Sequence, residues 1–290
     1  MATSFNLNSK AASGFKNAAN YDAHRPTYPA EAVEKLLTHL GVADDTNAQV
    51  IDLACGTGKF TQLLAARPEN FDILAVEPHA EMREELVKKN LGSRVKVLDG
   101  HAASMPVEEG WGDALVAAQA FHWFATEDSL KEIHRVLRPG AKFGMIWNLE
   151  AYNSPREWPS ATTWEQKLKE IVFNLEDGHP RFRNMKWKEV FDNQQDTTPL
   201  QTLKDTFTHN FPTFSLPLGE ETVQWTVYMS EEAIWGRYTT LSQVANLSEE
   251  KREEIRKQVF TVLKEGDTER NENGEIALHG VTYLCWTSRI

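Results

Sequence analysis

The run Val50-Ile51-Asp52-Leu53-Ala54-Cys55-Gly56-Thr57-Gly58-Lys59-Phe60 constrains this chain more than any other stretch. An apolar run of β-forming residues ends in a small-residue turn with two glycines, and a helix-compatible segment, Phe60 to Ala66, follows. The spacing predicts strand, tight turn and helix. Glycine has no Cβ, so at Gly56 and Gly58 the backbone can take positive φ and a ligand can lie directly against the main chain. A dinucleotide fingerprint would place a third glycine or an alanine three residues after Gly58, where this chain has Thr61. Nineteen residues past Gly58, at the end of a second apolar run, Phe71 to Val76, comes Glu77. A carboxylate there can accept both hydroxyls of a ribose.

The apolar segments then alternate with helix-compatible ones. A helix over Ala30 to Leu40 precedes the first strand, and one around Ala80 to Lys89 follows the second. A third strand is expected at Arg94 to Leu98, a fourth at Ala114 to Ala118, a helix from Glu127 to Leu137, and a fifth strand at Lys142 to Trp147. This is the pattern of a parallel doubly wound sheet, an α/β fold whose ligands bind outside the carboxyl ends of the strands. At those ends stand Asp99-Gly100-His101-Ala102 and Gln119-Ala120-Phe121-His122-Trp123-Phe124. Three aromatics and a histidine make a poor solvent loop and a good pocket wall. A buried aromatic cluster around a hydrogen-bonded core histidine is the alternative.

Asp52-x-x-x-Gly56-x-Gly58 with Glu77 resembles the class I S-adenosylmethionine-dependent methyltransferases. Ala118-x-Ala120-Phe121-His122-Trp123-Phe124 and Leu137-Arg138-Pro139-Gly140 resemble, more narrowly, the small-molecule branch related to the trans-aconitate and fungal cantharidin-type enzymes. The usual second glycine of the latter motif is Ala141 here, and the motif likeness covers about Tyr21 to Asn148. The resemblance implies a seven-stranded Rossmann-like sheet with its last strand antiparallel, plus a helical and aromatic cap. Residues 1–148 would form a lid and cofactor-binding core, and residues 149–290 a cap insertion and the completion of the sheet, one structural domain in all.

The same resemblance implies S-adenosylmethionine as cofactor, with S-adenosylhomocysteine as product and no metal. Its contacts would be Tyr21, Arg25, Asp52, Gly56, Gly58, Glu77, Gly100, His101, Ala102 and Gln119. The acceptor would meet Phe121, His122, Trp123 and Trp147, with His122 as the candidate base. Taken alone, Tyr21 can be a packing aromatic and Arg25 a surface residue. The reaction implied is O-methylation of a small molecule, a carboxylate slightly ahead of a hydroxyl, because a carboxylate is already nucleophilic at neutral pH. Cofactor binding that serves another reaction, or methylation of a protein, is the alternative.

With 290 residues, 41% of them hydrophobic, the chain can bury a sizeable core. A net charge of −11 lacks the clustered basic surface that nucleic acid requires. Two cysteines, Cys55 and Cys285, allow no disulfide framework or cysteine-rich zinc site and suit a reducing compartment. Neither a signal core nor a stretch of membrane-spanning length is found, and a cytoplasmic protein is expected. Beyond Asn148 the patterning weakens. Thr163 to Leu175 reads as an amphipathic helix, Lys204 to Leu216 as a sixth strand, and Glu220 to Met229 and Ser230 to Tyr238 as helices. A capped helix follows Ser248, and Ile276 to Ile290 is the last strand.

Overall fold

A computed structural model describes residues 27–175, 178–192 and 213–290. Strands β1 (Gln49–Leu53), β2 (Asp72–Val76), β3 (Val95–Leu98), β4 (Gly112–Ala118), β5 (Leu137–Glu150), β6 (Gly219–Met229) and β7 (Ile276–Ser288) form one sheet in the order β3-β2-β1-β4-β5-β7-β6. Adjacent strands from β3 to β5 pair in parallel, and β7 runs antiparallel to both β5 and β6. Strand order reverses between β1 and β4, so the crevice at their carboxyl ends is where such a sheet binds its ligands. The seven-stranded Rossmann-like methyltransferase fold implied by the sequence is present.

The strands at the centre read as continuous apolar runs because helices cover both faces. On one face, α1 (Ala30–Leu40) and α2 (Lys59–Ala65) bury Leu36, Leu37, Phe60 and Leu64 against Val50, Ile73, Val116 and Ile146. α3 (Ala80–Lys88) buries Met82 and Leu86. On the other face, α4 (Glu127–Val136) contributes Leu130, Ile133 and Val136 to a core with Ile51, Leu115, Phe143 and Trp147. The Thr126 hydroxyl caps α4 by accepting the Ser129 N–H.

Three parts of the chain differ from the sequence reading. Glu220 to Met229 is not a helix but nearly all of β6, paired along its length with β7. Trp225 and Tyr228 stand three apart, as on a helix, yet Val223, Trp225, Val227 and Met229 alternate with Thr222, Gln224, Thr226 and Tyr228 at the period of a strand. An available partner strand decides between the two. The expected sixth strand at Lys204 to Leu216 falls mostly outside the described residues, of which Phe214 makes only a bridge to Arg289. Lastly, Leu137-Arg138-Pro139-Gly140 is not a turn ahead of the fifth strand but a bulge within it. Leu137 pairs with Gly112 and Lys142 with Ala114, so residues 138–141 oppose a single residue of β4. Gly140, at φ +78°, turns the chain there.

The downstream helices α5 (Thr163–Asn174), α6 (Glu189–Asp192), α7 (Glu231–Thr239), α8 (Ser242–Ala245) and α9 (Glu249–Glu265) follow in chain order. Trp164, Leu168, Ile234, Trp235, Tyr238, Ile255 and Val259 pack with Ile276 and Leu278 at the start of β7. Since β7 is antiparallel, its start lies at the carboxyl end of β5, and this helical layer flanks the ligand-binding edge of the sheet. These aromatics are the layer's own core. Ser248 caps α9 through Lys251 N–H, as the sequence indicated.

Candidate cofactor and acceptor site

The turn after β1 bends through three left-handed residues, Ala54 at φ +55°, Gly56 at +57° and Gly58 at +82°, before α2 begins. The two glycines do different work. A side chain on Gly56 would enter open space, with nothing within 4 Å, whereas one on Gly58 would strike Leu86 Cδ1 of α3 at 2.2 Å. Gly56 therefore borders the ligand crevice. Gly58 allows the close packing of turn and helix.

Glu77 ends β2 and is 7% exposed. Its Oε2 accepts the Gly56 N–H at 3.0 Å and its Oε1 the His79 N–H at 2.9 Å. Burial pushes its carboxyl above the ordinary carboxylate range, and these backbone donors oppose that shift. The Arg83 guanidinium donates to the Glu77 carbonyl at 2.8 Å and to Asp99 at 2.9 Å, joining the ends of β2 and β3.

Asp52, in β1, is fully buried. Its Oδ2 accepts the Thr61 hydroxyl at 2.6 Å, which gives a reason for threonine where a dinucleotide fold has glycine. Its Oδ1 is buried without a hydrogen-bond partner. Desolvation raises this carboxyl to about 7, against the Thr61 bond, with Glu77 adding a smaller push. A buried carboxylate oxygen under the glycine turn is an acceptor that a bound donor or cation would satisfy. Together with the open space at Gly56 and the carboxylate of Glu77, it fits the amino-acid and ribose parts of S-adenosylmethionine.

At the end of β3, Gly100 packs so tightly that a Cβ would meet Pro106 Cδ at 2.5 Å, and His101 and Ser104 close the chain into a bridge that leaves Ala102 buried. Burial pulls the His101 imidazole below its ordinary value. At the end of β4, Gln119 adopts φ +59°, an uncommon conformation for a residue with a side chain. Its Nε2 donates to the Asn148 carbonyl at 2.6 Å, and Asn148 Nδ2 donates to the Thr27 carbonyl at 2.9 Å. Asn148 thus joins β4, β5 and the lead-in to α1. The sequence reading passed over Asn148, whose only signal was a polar residue ending an apolar strand. Tyr21 and Arg25 lie outside the described residues.

The aromatic loop is a single 3-10 turn, Phe121–Trp123. Phe121 and Trp147, which the sequence reading places against the acceptor, are fully buried. Phe121 packs against Phe143 and Phe191, and Trp147 lies with ring centroids 4.8 Å from both Phe182 and Trp187. Residues 182–191 cover that face of the sheet. Trp147 instead reaches the loop through Nε1, which donates to His122 Nδ1 at 3.1 Å. With Nδ1 accepting, a neutral His122 carries its proton on Nε2. His122, Trp123 and Phe124 are the partly exposed members of the loop.

The sheet order and this glycine turn define a class I-type methyltransferase fold, and residues 50–140 match the family described as "Methyltransferase domain". An uncharacterized methyltransferase-like protein of Schizosaccharomyces pombe is 35% identical over 178 residues, 60% of this chain and 63% of its own length. An uncharacterized methyltransferase of Mycobacterium tuberculosis is 35% identical over 160 residues, 55% of this chain and 58% of its own length. The malonyl-[acyl-carrier protein] O-methyltransferase of Priestia megaterium is 28% identical over 127 residues, 41% and 46% of the two chains. The chain thus spans less than two thirds of the length of these relatives. Among solved structures, a candidate type II methyltransferase from Anaeromyxobacter dehalogenans shares the fold with a TM-score of 0.57 at 20% identity, covering 91% of this chain and 97% of that one. S-adenosylmethionine is the cofactor that this family implies. Among the described residues, no cluster of three or more His, Cys, Asp or Glu is arranged to hold a metal, and no helix is long and apolar enough to cross a membrane.

The two glycines are separable by experiment. Gly56→Val should abolish binding of S-adenosylhomocysteine in calorimetry, with a smaller loss of fold stability. Gly58→Ala should lower unfolding stability by about 1–3 kcal/mol in denaturant titration, through overpacking on Leu86 and a disfavoured φ. The opposite assignment of effects would reverse the roles of the two positions.

Asp52 makes stability depend on pH with a definite sign. Its ordinary value is 3.8 and its folded value about 7, so between them the folded state holds a proton that the unfolded state has released. Stability from this group is present below about pH 4 and is lost as pH rises toward 7. Comparing wild type with Asp52→Asn, the wild type should lose stability relative to the variant across that window. Parallel curves would mean that Asp52 is ionised in the fold at no cost.

Proposed function

We propose that the protein transfers a methyl group from S-adenosylmethionine to an oxygen of a small molecule, a carboxylate ahead of a hydroxyl. The observation that carries the reading is the juxtaposition of buried Glu77, the open side of Gly56 and the unpartnered Asp52 Oδ1 at the strand-order reversal. Glu77 is assigned the ribose hydroxyls, Asp52 the amino-acid end, and Gly100, His101, Ala102 and Gln119 the remaining wall of the cofactor bed. Tyr21 and Arg25 are assigned to a lid within residues 1–148, and residues 149–290 to the cap and the rest of the sheet.

The bound cofactor supplies an electrophilic methyl group with a neutral thioether as leaving group. The chain's own residues then have to align the acceptor oxygen and keep water out. A carboxylate is already nucleophilic at neutral pH and needs no base, which favours that choice. The Priestia megaterium relative is a malonyl-[acyl-carrier protein] O-methyltransferase, so its methyl acceptor is also an oxygen. Trp123 and Phe124 supply the apolar surface for the acceptor, as small-molecule sites do.

Incubation with methyl-labelled cofactor and a panel of small acids, phenols and amines tests the reading. Label should pass to acids first. Glu77→Ala should weaken S-adenosylhomocysteine by about 10- to 100-fold for each charge-assisted hydrogen bond lost. Trp123→Ala should instead cut turnover while leaving cofactor affinity within about twofold of wild type. Tight cofactor binding with no transfer to any acceptor would point to the non-transfer alternative, and efficient labelling of protein alone would move the acceptor site elsewhere.

A further inference from the structure

β6 is the last strand of the sheet and pairs with β7 on one side only, along its whole length and without a break in register. In an antiparallel ladder the N–H and C=O of one residue point to the same edge, and successive residues alternate between the two edges. Which residues of β6 face outward therefore follows from their partners. Arg289 N–H donates to the Ala141 carbonyl on the β5 side of β7, whereas the Ser288 carbonyl accepts from Ser215 on the β6 side. His279 N–H, which donates to Glu165, obeys the same alternation. Odd-numbered residues of β7 thus turn their backbone groups away from β6. The residues of β6 opposite them, Glu220, Thr222, Gln224, Thr226 and Tyr228, turn theirs away from β7. Among the described residues, no backbone group bonds to these outward-facing ones.

Open edges are ordinarily blunted by proline, lysine, a bulge or a covering element, because an unblunted edge pairs with other strands. β6 has no proline, lysine or arginine, and its register with β7 shows no bulge. Its two acids are already engaged within the protomer. Glu221 accepts from Lys35 and His39, each at 2.7 Å, and Glu220 accepts from Lys188 at 2.6 Å. The side chains of the outward-facing residues are exposed, and Tyr228, at 44%, is one of the large apolar side chains left in solvent. An edge of this length with neither a blunting residue nor an unpaired charge is suited to a strand of its own kind.

We infer that β6 pairs with β6 of a second copy of this chain, antiparallel about a two-fold axis through Gln224, so that the two sheets become one. This register uses the whole strand, with Gly219 opposite Met229. It sets Gln224 against Gln224, Thr222 against Thr226 and Glu220 against Tyr228. Every outward-facing residue then meets another, and each pair exchanges both N–H···O bonds. A shift of one residue would set outward-facing groups against inward-facing ones and form none of these bonds. Threonine opposite threonine is a favourable cross-strand pair. No acid meets an acid, since Glu221 faces Val227, and Val223 faces Trp225, apolar against apolar. The inference does not rest on the methyl-transfer reading.

Sedimentation velocity of the full chain across a dilution series tests the pairing. Wild type should sediment as a dimer of the 32.9 kDa chain and dissociate on dilution. Gln224→Lys and Gln224→Glu each place two like charges directly opposite one another across the two-fold axis, and each should weaken the dimer at least about tenfold. Mixed in equal amounts, the two variants should associate about as tightly as wild type, because lysine then faces glutamate. Gln224→Pro removes a backbone donor that points away from β7, so it should abolish the dimer while the protomer stays folded. Near-ultraviolet circular dichroism and thermal unfolding of the monomeric variants should match wild type. If the proline variant does not fold, the two charged variants and their mixture still decide the matter. A wild type that is monomeric at every concentration overturns the inference. So does a dimer that tolerates both charges, and so does a mixture of the two folded charge variants that stays monomeric.

Discussion

The hydrogen bond from the Gly56 N–H to the Glu77 carboxylate is the contact on which the candidate cofactor bed depends. It crosses from the turn after β1 to the end of β2, and it holds a backbone that bends left-handed at Ala54, Gly56 and Gly58. A left-handed alanine costs on the order of 1 kcal/mol or more, and it persists only where surrounding contacts over-determine it. Glu77 provides part of that determination, and the packing of Gly58 on Leu86 provides another. The carboxylate thus shapes the turn at the place proposed for the ribose. Below it Asp52 is held by Thr61 on one oxygen and left unsatisfied on the other.

The aromatic loop has a different support, the long strand β5. Its residues alternate between two jobs because successive side chains point to opposite faces. Trp147 and Leu149 face the aromatic core, and from there Trp147 reaches His122 and selects its tautomer. Asn148 and Glu150 face the other way, toward Thr27 and Arg237. The extension of β5 past the ends of its neighbours is possible because antiparallel β7 pairs with it as far as Glu150. The antiparallel strand is therefore what allows polar groups to be carried, on rigid backbone, beyond the edge of the parallel sheet.

Legibility in the sequence followed locality. The alternation of strand and helix, the glycine turn, the acidic ends of β1 and β2, and the Ser248 cap are all read from residues close in the chain, where period and turn chemistry act directly. Residues 220–229 show the limit of that approach. Their i, i+3 aromatics and their period-two alternation coexist in the same ten residues, and pairing with a strand distant in the sequence, β7, settles the matter. Phe121 and Trp147 show it again. Aromatics at strand ends suit a pocket wall and a core equally well, and the segment that buries them, 182–191, carries no periodic signal of its own.

The sequence by itself determined that the chain is α/β, where the glycine turn lies, and which carboxylates stand at the strand ends. These follow from backbone geometry that a few neighbouring residues impose. Only the tertiary structure decided that Gly58 faces Leu86 and Gly56 faces open space, that Thr61 holds Asp52, and that Glu150, Gly280 and Trp225 share a row beneath Arg237. Each of these depends on residues brought together from separate elements. The direction of a missing Cβ or the partner of a buried charge has no value until the packing and register of those elements are set.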